Sequence, residues 1–137
     1  MSEPEFDLAK LRRLQRQCDS LAARRHAIAE LLQDAQESAR FAHGSLAAQF
    51  RQAQALGRCV GAEFDDVADW TDGQLKGEGL SVKTRDQWRE ALEAADAYRQ
   101  ELAAIDAQSA PLRRLVAACE RLVPPDTLHM PGVLKGA

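Results

Sequence analysis

The chain has 137 residues, 28% of them charged and 45% hydrophobic, with a formal net charge of −3 at pH 7 and a pI of about 5.6. That is one domain's worth of chain. The acidic balance is not the footprint of a nucleic-acid binder, and no apolar run of roughly 18 residues could cross a membrane. Aromatics supply only 5%. Ala, Leu, Gln, Glu and Arg dominate, the strong helix formers, and the Val, Ile and aromatic runs that strands require are missing. The composition therefore predicts an all-α protein with thin, alanine-filled seams. Arginine far outnumbers lysine and there is no asparagine, a coding bias compatible with a GC-rich bacterial or phage genome.

The first third organises the rest. Ser2 and Glu5 have capping-box spacing and Pro4 suits a first turn. From there one amphipathic helix is predicted over 5–56, interrupted by no proline and a single glycine, Gly44. Its a positions are Leu11, Cys18, Arg25, Leu32, Ala39, Leu46 and Ala53; its d positions are Leu14, Leu21, Ile28, Ala35, Ala42, Gln49 and Leu56. The stripe runs for about seven heptads and must be covered by something. Arg25 is the conspicuous polar a residue. Either it snorkels, or it sets register by meeting a carboxylate on the facing helix.

Residues 57–83 change character. Gly57, Gly61, Gly73, Gly77 and Gly79 punctuate a connector too long for a tight helix–helix turn. Ala62 to Trp70 is expected as a short helix burying Phe64, Val67 and Ala68, followed by a turn at Thr71-Asp-Gly. Leu75, Leu80 and Val82 are expected to tuck back onto the hairpin.

Thr84 and Gln87 form a second capping-box pattern and open a predicted helix over 84–123. Its ladder is Trp88, Ala91, Ala95, Tyr98, Leu102, Ile105, Ser109, Leu112, Val116, Cys119 and Val123. Ser109-Ala-Pro111 reads as a fresh N-cap, which predicts a kink or break near 108–110. Pro124-Pro125 ends the helix, and 124–137 reads as a flexible or docking tail.

Two ladders joined by a soft middle fold most economically as a long antiparallel, coiled-coil-like hairpin over 1–123, with Leu56 near Trp88. The helices would measure roughly 75 and 60 Å. Such a pair leaves flank residues exposed, among them Leu8, Leu31, Phe41, Phe50, Leu92 and Leu115. Assembly into a four-helix bundle as a homodimer, or packing on another protein, would cover them.

Few groups point to chemistry. Cys18 and Cys119 sit in the two ladders near one level of the hairpin, as small core residues or as a redox pair. Cys59, beside Arg58 in the connector, is expected to be exposed, and no histidine stands near it to act as a base. His26, His43 and His129 have no metal-ligand spacing. Glu63, Asp65, Asp66, Asp69 and Asp72 lack the alternation of a calcium loop and read as a solvated face or a target for a basic partner. Gly73, Gly77 and Gly79 are not followed by the Lys-Ser/Thr of a phosphate loop. No enzyme activity, metal or cofactor is expected.

Charge is polarised instead. Arg12, Arg13, Arg16 and Arg24 lie early in the first helix, and in a hairpin Arg113, Arg114 and Arg121 join them at a basic end. Asp7, Asp19, Glu30 and Glu120 offset part of it. That end suits an acidic protein or, alternatively, a phosphate backbone, although stacking aromatics other than Phe6 are missing there. Phe64, Trp70, Leu128 and Met130 are the candidate partner-binding anchors, being large apolar residues in the connector and tail. The acidic N-terminus lacks a signal peptide's apolar core, so a cytoplasmic location is expected. In outline the chain resembles small bacterial coiled-coil hairpins such as export-system stalks, secretion chaperones and phage assembly factors. That resemblance implies a non-enzymatic adaptor, scaffold or chaperone-like role in a larger complex.

Overall fold

Asp7 starts the ordered helix by capping it. Its carboxylate accepts from the Lys10 amide at 3.1 Å, satisfying one of the unpaired first-turn donors, and its carbonyl accepts the first intrahelical bond from the Leu11 amide at 3.0 Å. The computed structural model describes residues 7–122, so Ser2, Pro4 and Glu5 lie outside the described residues, as does the tail from Val123. All regular structure among them is helical: α1 Leu8–Ala55, a 3₁₀ helix Phe64–Asp69, α2 Asp72–Gly77 and α3 Val82–Arg121. The two long helices pack against each other as the hairpin reading expected.

Backbone chemistry fixes each end. The Arg58 amide donates to Ala53 O and the Gly57 amide to Gln54 O, with Gly57 at φ +81°, so α1 stops in a Schellman turn. Leu56 caps that turn and is 72% exposed. It is therefore not Trp88's neighbour, and the expected register is corrected: Trp88 packs its ring edge-on against His43, with centroids 5.2 Å apart, far earlier in α1. The helix α2 stands where Thr71-Asp-Gly predicts a turn. A capping box formed by Thr71 and Gln74 opens it, and a second Schellman turn at Gly79 closes it, returning Leu80 onto Leu75.

The helix α3 starts before the predicted Thr84. Ser81 is its cap, its hydroxyl accepting from the Thr84 amide. Gln49, the polar d residue of α1, completes the cap from outside. Its carbonyl accepts from the Ser81 amide at 2.9 Å, and its amide group donates to the Thr84 hydroxyl at 3.4 Å. Near Pro111 the expected break is absent, because α3 runs through it. Proline removes the amide that would have bonded Ala107 O. One turn earlier the Ser109 hydroxyl donates to Ile105 O, a bond that tolerates a helical backbone.

The chain divides into two compact units. In the one built from 27–101, α1 and α3 meet along an alanine seam of Ala35, Ala39, Ala42 and Ala95. Beyond the seam the folded connector closes a core of Leu46, Phe50, Ala53, Cys59, Val67, Leu75 and Leu80. Leu75, Leu80 and Val82 do tuck back, and Phe50 is buried rather than an exposed flank residue. In the other unit, 7–26 with 102–122, the helices run antiparallel: Gln15 reaches Glu120 and Arg25 reaches Asp106. Only Leu11 and Ile105 are fully buried there. Leu14, Cys18, Leu21, Leu102, Leu112, Val116 and Cys119 remain partly exposed. Two helices cannot seal a ladder on both flanks without a third layer.

Candidate interaction surfaces

The connector's polar framework is centred on Arg85, which is only 2% exposed. Its guanidinium donates to Asp86 at 2.8 Å, to Asp72 at 2.5 Å and to the Trp70 carbonyl. Burial disfavours its charge, but the bonds to Asp86 and Asp72 outweigh that, and its pKa is raised. Arg89 donates to Ala68 O in the same way. These arginines pin the 68–72 stretch to the first turns of α3. Sequence reading missed them, although a basic residue in a helix's first turn opposes the helix dipole and so signals a partner elsewhere.

Of the proposed anchors, Phe64 is partly buried, edge-on to His43 at 5.1 Å and to Phe50 at 5.5 Å and stacked on Trp88 at 5.8 Å. Trp70 also packs against the core. Both are half-buried. Leu128 and Met130 lie outside the described residues. Cys59 departs from expectation: it is buried, at φ +53°, with its amide donating to Glu78 at 2.7 Å. Burial, and then the neighbouring Glu78 carboxylate, push the thiol's pKa up, the opposite of an activated nucleophile. All three cysteines are free, Cys18 and Cys119 being half-buried. Of the acidic cluster, Glu63, Asp65, Asp66 and Asp69 are exposed while Asp72 serves Arg85. No group of three or more His, Cys, Asp or Glu among the described residues is placed to hold a metal.

Arg25 resolves in favour of the facing carboxylate. Its Nε lies 2.7 Å from Asp106 Oδ1, with a second, longer bond of 3.4 Å to the other oxygen. Both side chains are half exposed. The hydrogen bond lowers the Asp106 pKa and raises that of Arg25, and Arg113 adds to the effect on Asp106.

The predicted basic residues Arg12, Arg13, Arg16, Arg24, Arg113, Arg114 and Arg121 are all exposed and all belong to one unit. Among its described residues that unit holds nine Lys or Arg against four Asp or Glu, a net of +5. The 27–101 unit holds eight against fourteen, a net of −6. On the last turns of α3, Leu115 and Leu122 are exposed one above the other, and Arg114 and Arg121 border them. A hollow of about 540 Å³ opens beside Leu21, Pro111 and Leu112 in the same unit. On α1 alone, Leu8, Ala9, Arg12, Arg13 and Arg16 line another of about 510 Å³. Phe41, at 80% exposure, is the most exposed aromatic among the described residues. Among the described residues no helix is long and apolar enough to cross a membrane.

In comparison with known proteins, the chain matches no family model, no curated protein and no solved structure.

Proposed function

We propose that the chain is a non-enzymatic helical interaction protein: an adaptor, scaffold or chaperone-like assembly factor in a larger bacterial or phage complex. Its arginine-rich unit captures an acidic amphipathic segment of a partner protein. The observation that carries this reading is the end of α3, where Leu115 and Leu122 form an exposed apolar stripe bordered by Arg114 and Arg121. Apolar anchors ringed by arginine suit a helix carrying leucines flanked by carboxylates. The half-open ladder beneath gives such a helix a third-layer position to fill. Phe64 and Trp70, both half-buried, contribute contacts, and Leu128 and Met130 supply further anchors.

The test is a photo-crosslinking amino acid placed at Leu115 and Leu122 in the native host, followed by mass spectrometry. One defined protein should crosslink, through an acidic segment, and Arg114→Glu with Arg121→Glu should abolish it. Background crosslinking only, or crosslinks indifferent to the charge reversal, would sink the proposal.

The +5 unit also favours a second reading, phosphate-backbone binding. Fluorescence anisotropy with duplex DNA and RNA separates the two. Backbone contacts through several arginines require affinity to fall steeply as salt rises, and a flat salt response rejects this alternative.

A further inference from the structure

A hollow of about 190 Å³ opens where the connector meets the last turn of α1, wholly within the 27–101 unit. Arg58 and Glu78 both line it, yet no ion pair joins them. Two opposite charges thus border one small space, and each is placed by a contact of its own. The Cys59 amide donates to Glu78 Oε2 at 2.7 Å, and the Cys59 thiol lies near enough to feel that charge. A carboxylate still has lone pairs to offer beyond such contacts. Arg58 lies across Gly79: its Nη1 sits 2.6 Å from the point where a Cβ would stand, a place that only glycine leaves open. Among the described residues its guanidinium has no carboxylate partner.

The rest of the wall shows what could span the two charges. Leu56, 72% exposed, and Ala53 supply an apolar side. Gln52 offers a carboxamide, whereas Gln49 is committed to Ser81 and Thr84. The final carbonyls of α1 add partial negative charge. A bare anion would be opposed by Glu78 and those carbonyls, and a bare cation by Arg58. A molecule carrying both charges a few bonds apart satisfies both groups. The hollow is smaller than the roughly 300–1,000 Å³ that drug-sized ligands fill, so it suits one small molecule.

We propose that this hollow binds a free α-amino acid with an apolar side chain, its carboxylate on Arg58, its ammonium on Glu78 and its side chain against Leu56 and Ala53. A guanidinium grips a carboxylate through two parallel N–H bonds, which sets the ligand's direction. Glu78 then rejects molecules whose amine is missing or acylated, because its charge would face an uncharged group. Arg58 is exposed, so water competes and affinity is on the order of millimolar. The proposal goes beyond the adaptor reading and uses none of its residues, so the two fail separately.

The experiment is a titration of the isotope-labelled full chain with L-leucine up to 20 mM, read from amide shifts in two-dimensional NMR spectra. Circular dichroism checks folding. Saturable shifts should appear at 52–58 and 78–79 and nowhere else. N-acetyl-leucine, which lacks the ammonium, and leucinamide, which lacks the carboxylate, should each bind at least tenfold more weakly. Arg58→Gln and Glu78→Gln should each weaken L-leucine at least tenfold as well. The carboxamide in Glu78→Gln still accepts from the Cys59 amide; should that variant lose helicity all the same, Arg58→Gln at its exposed position decides. No saturable shift by 20 mM, equal affinity for the three compounds, or shifts indifferent to Arg58→Gln would each overturn the proposal.

Discussion

Arg85→Ala is expected to be among the most damaging single changes in the connector. The side chain is buried, so its removal first uncovers the space of two methylenes, worth about 1.6 kcal/mol at ~0.8 kcal/mol each. It next leaves the Trp70 carbonyl without its donor, adding about 1 kcal/mol. Losing the carboxylate pairs adds little, because Asp72 and Asp86 keep 66% and 46% side-chain exposure and return to water. The total is about 2.6 kcal/mol, below the 3–5 kcal/mol or so expected when a removed partner strands a fully buried charge. Arg85→Met keeps most of the stem and should lose only about 1 kcal/mol. Urea unfolding followed by circular dichroism, and by fluorescence of Trp70 and Trp88, measures both variants. A loss below about 1 kcal/mol for Arg85→Ala would refute the burial argument. Equal losses for the Ala and Met variants would show that hydrogen bonding, not packing, dominates.

Four further outcomes follow from the same structure. Gly44→Ala, in the middle of α1 with nothing near its would-be Cβ, should stabilise by about 1 kcal/mol. Gly79→Ala should destabilise by about 1 kcal/mol, because φ is +77° and the new Cβ would meet the Arg58 guanidinium; both are read from urea midpoints, and a shared sign would be unexpected. Iodoacetamide at pH 7.5 should label Cys59 last of the three cysteines, its thiol being buried and its pKa raised; fastest labelling there would reverse that picture. The Asp106 pKa is lowered by Arg25, so the pair's contribution is present above the unfolded carboxyl's value of 3.8 and lost as pH falls through the lowered one. The thermal stabilities of wild type and Asp106→Asn should accordingly converge in that acid range and differ at pH 7, and a gap that widens on acidification would contradict the assignment.

Both long helices were legible because their signal is local and repeated: apolar residues at alternating three- and four-residue spacing, free of proline until position 111. The Arg25 contact was legible as one of two readings, since a charge in a ladder is either solvated at its rim or met from across it. The connector was legible only in part. Two glycines inside α2 masked a helix that the Thr71/Gln74 box announced, because glycine weighs against helix locally while a buried Leu75 outweighs it globally. Cys59 read as exposed because its neighbours Arg58 and Val60 are. Only the folded connector, carrying Glu78 and Leu80 back to it, makes that position interior. Gln49 and Arg85 were invisible for one reason: each satisfies backbone groups far away in sequence, and no periodicity encodes such a bond.

The contrast between the two units bears on where function resides. The 27–101 unit spends its connector on closing its own core, and its two tryptophans, Phe50 and Phe64 all face inward to some degree. The unit of 7–26 and 102–122 has the same kind of ladder and, among the described residues, no third layer. Most of its seam residues stay partly exposed, and arginines border the open flanks. An evenly patterned hairpin would distribute its large apolar residues along both units. Here Phe50, Phe64, Trp70 and Trp88 are concentrated where the chain covers itself, and leucine, valine and cysteine remain where it does not. Burial of that open seam is an unclaimed apolar contribution, and apolar burial is the main driving force of association. A partner that supplies the missing layer would therefore stabilise this unit selectively. Hydrogen exchange should then slow at 14–21 and 112–119 on binding, while amides of the Leu46–Leu80 core, already closed, keep their rates.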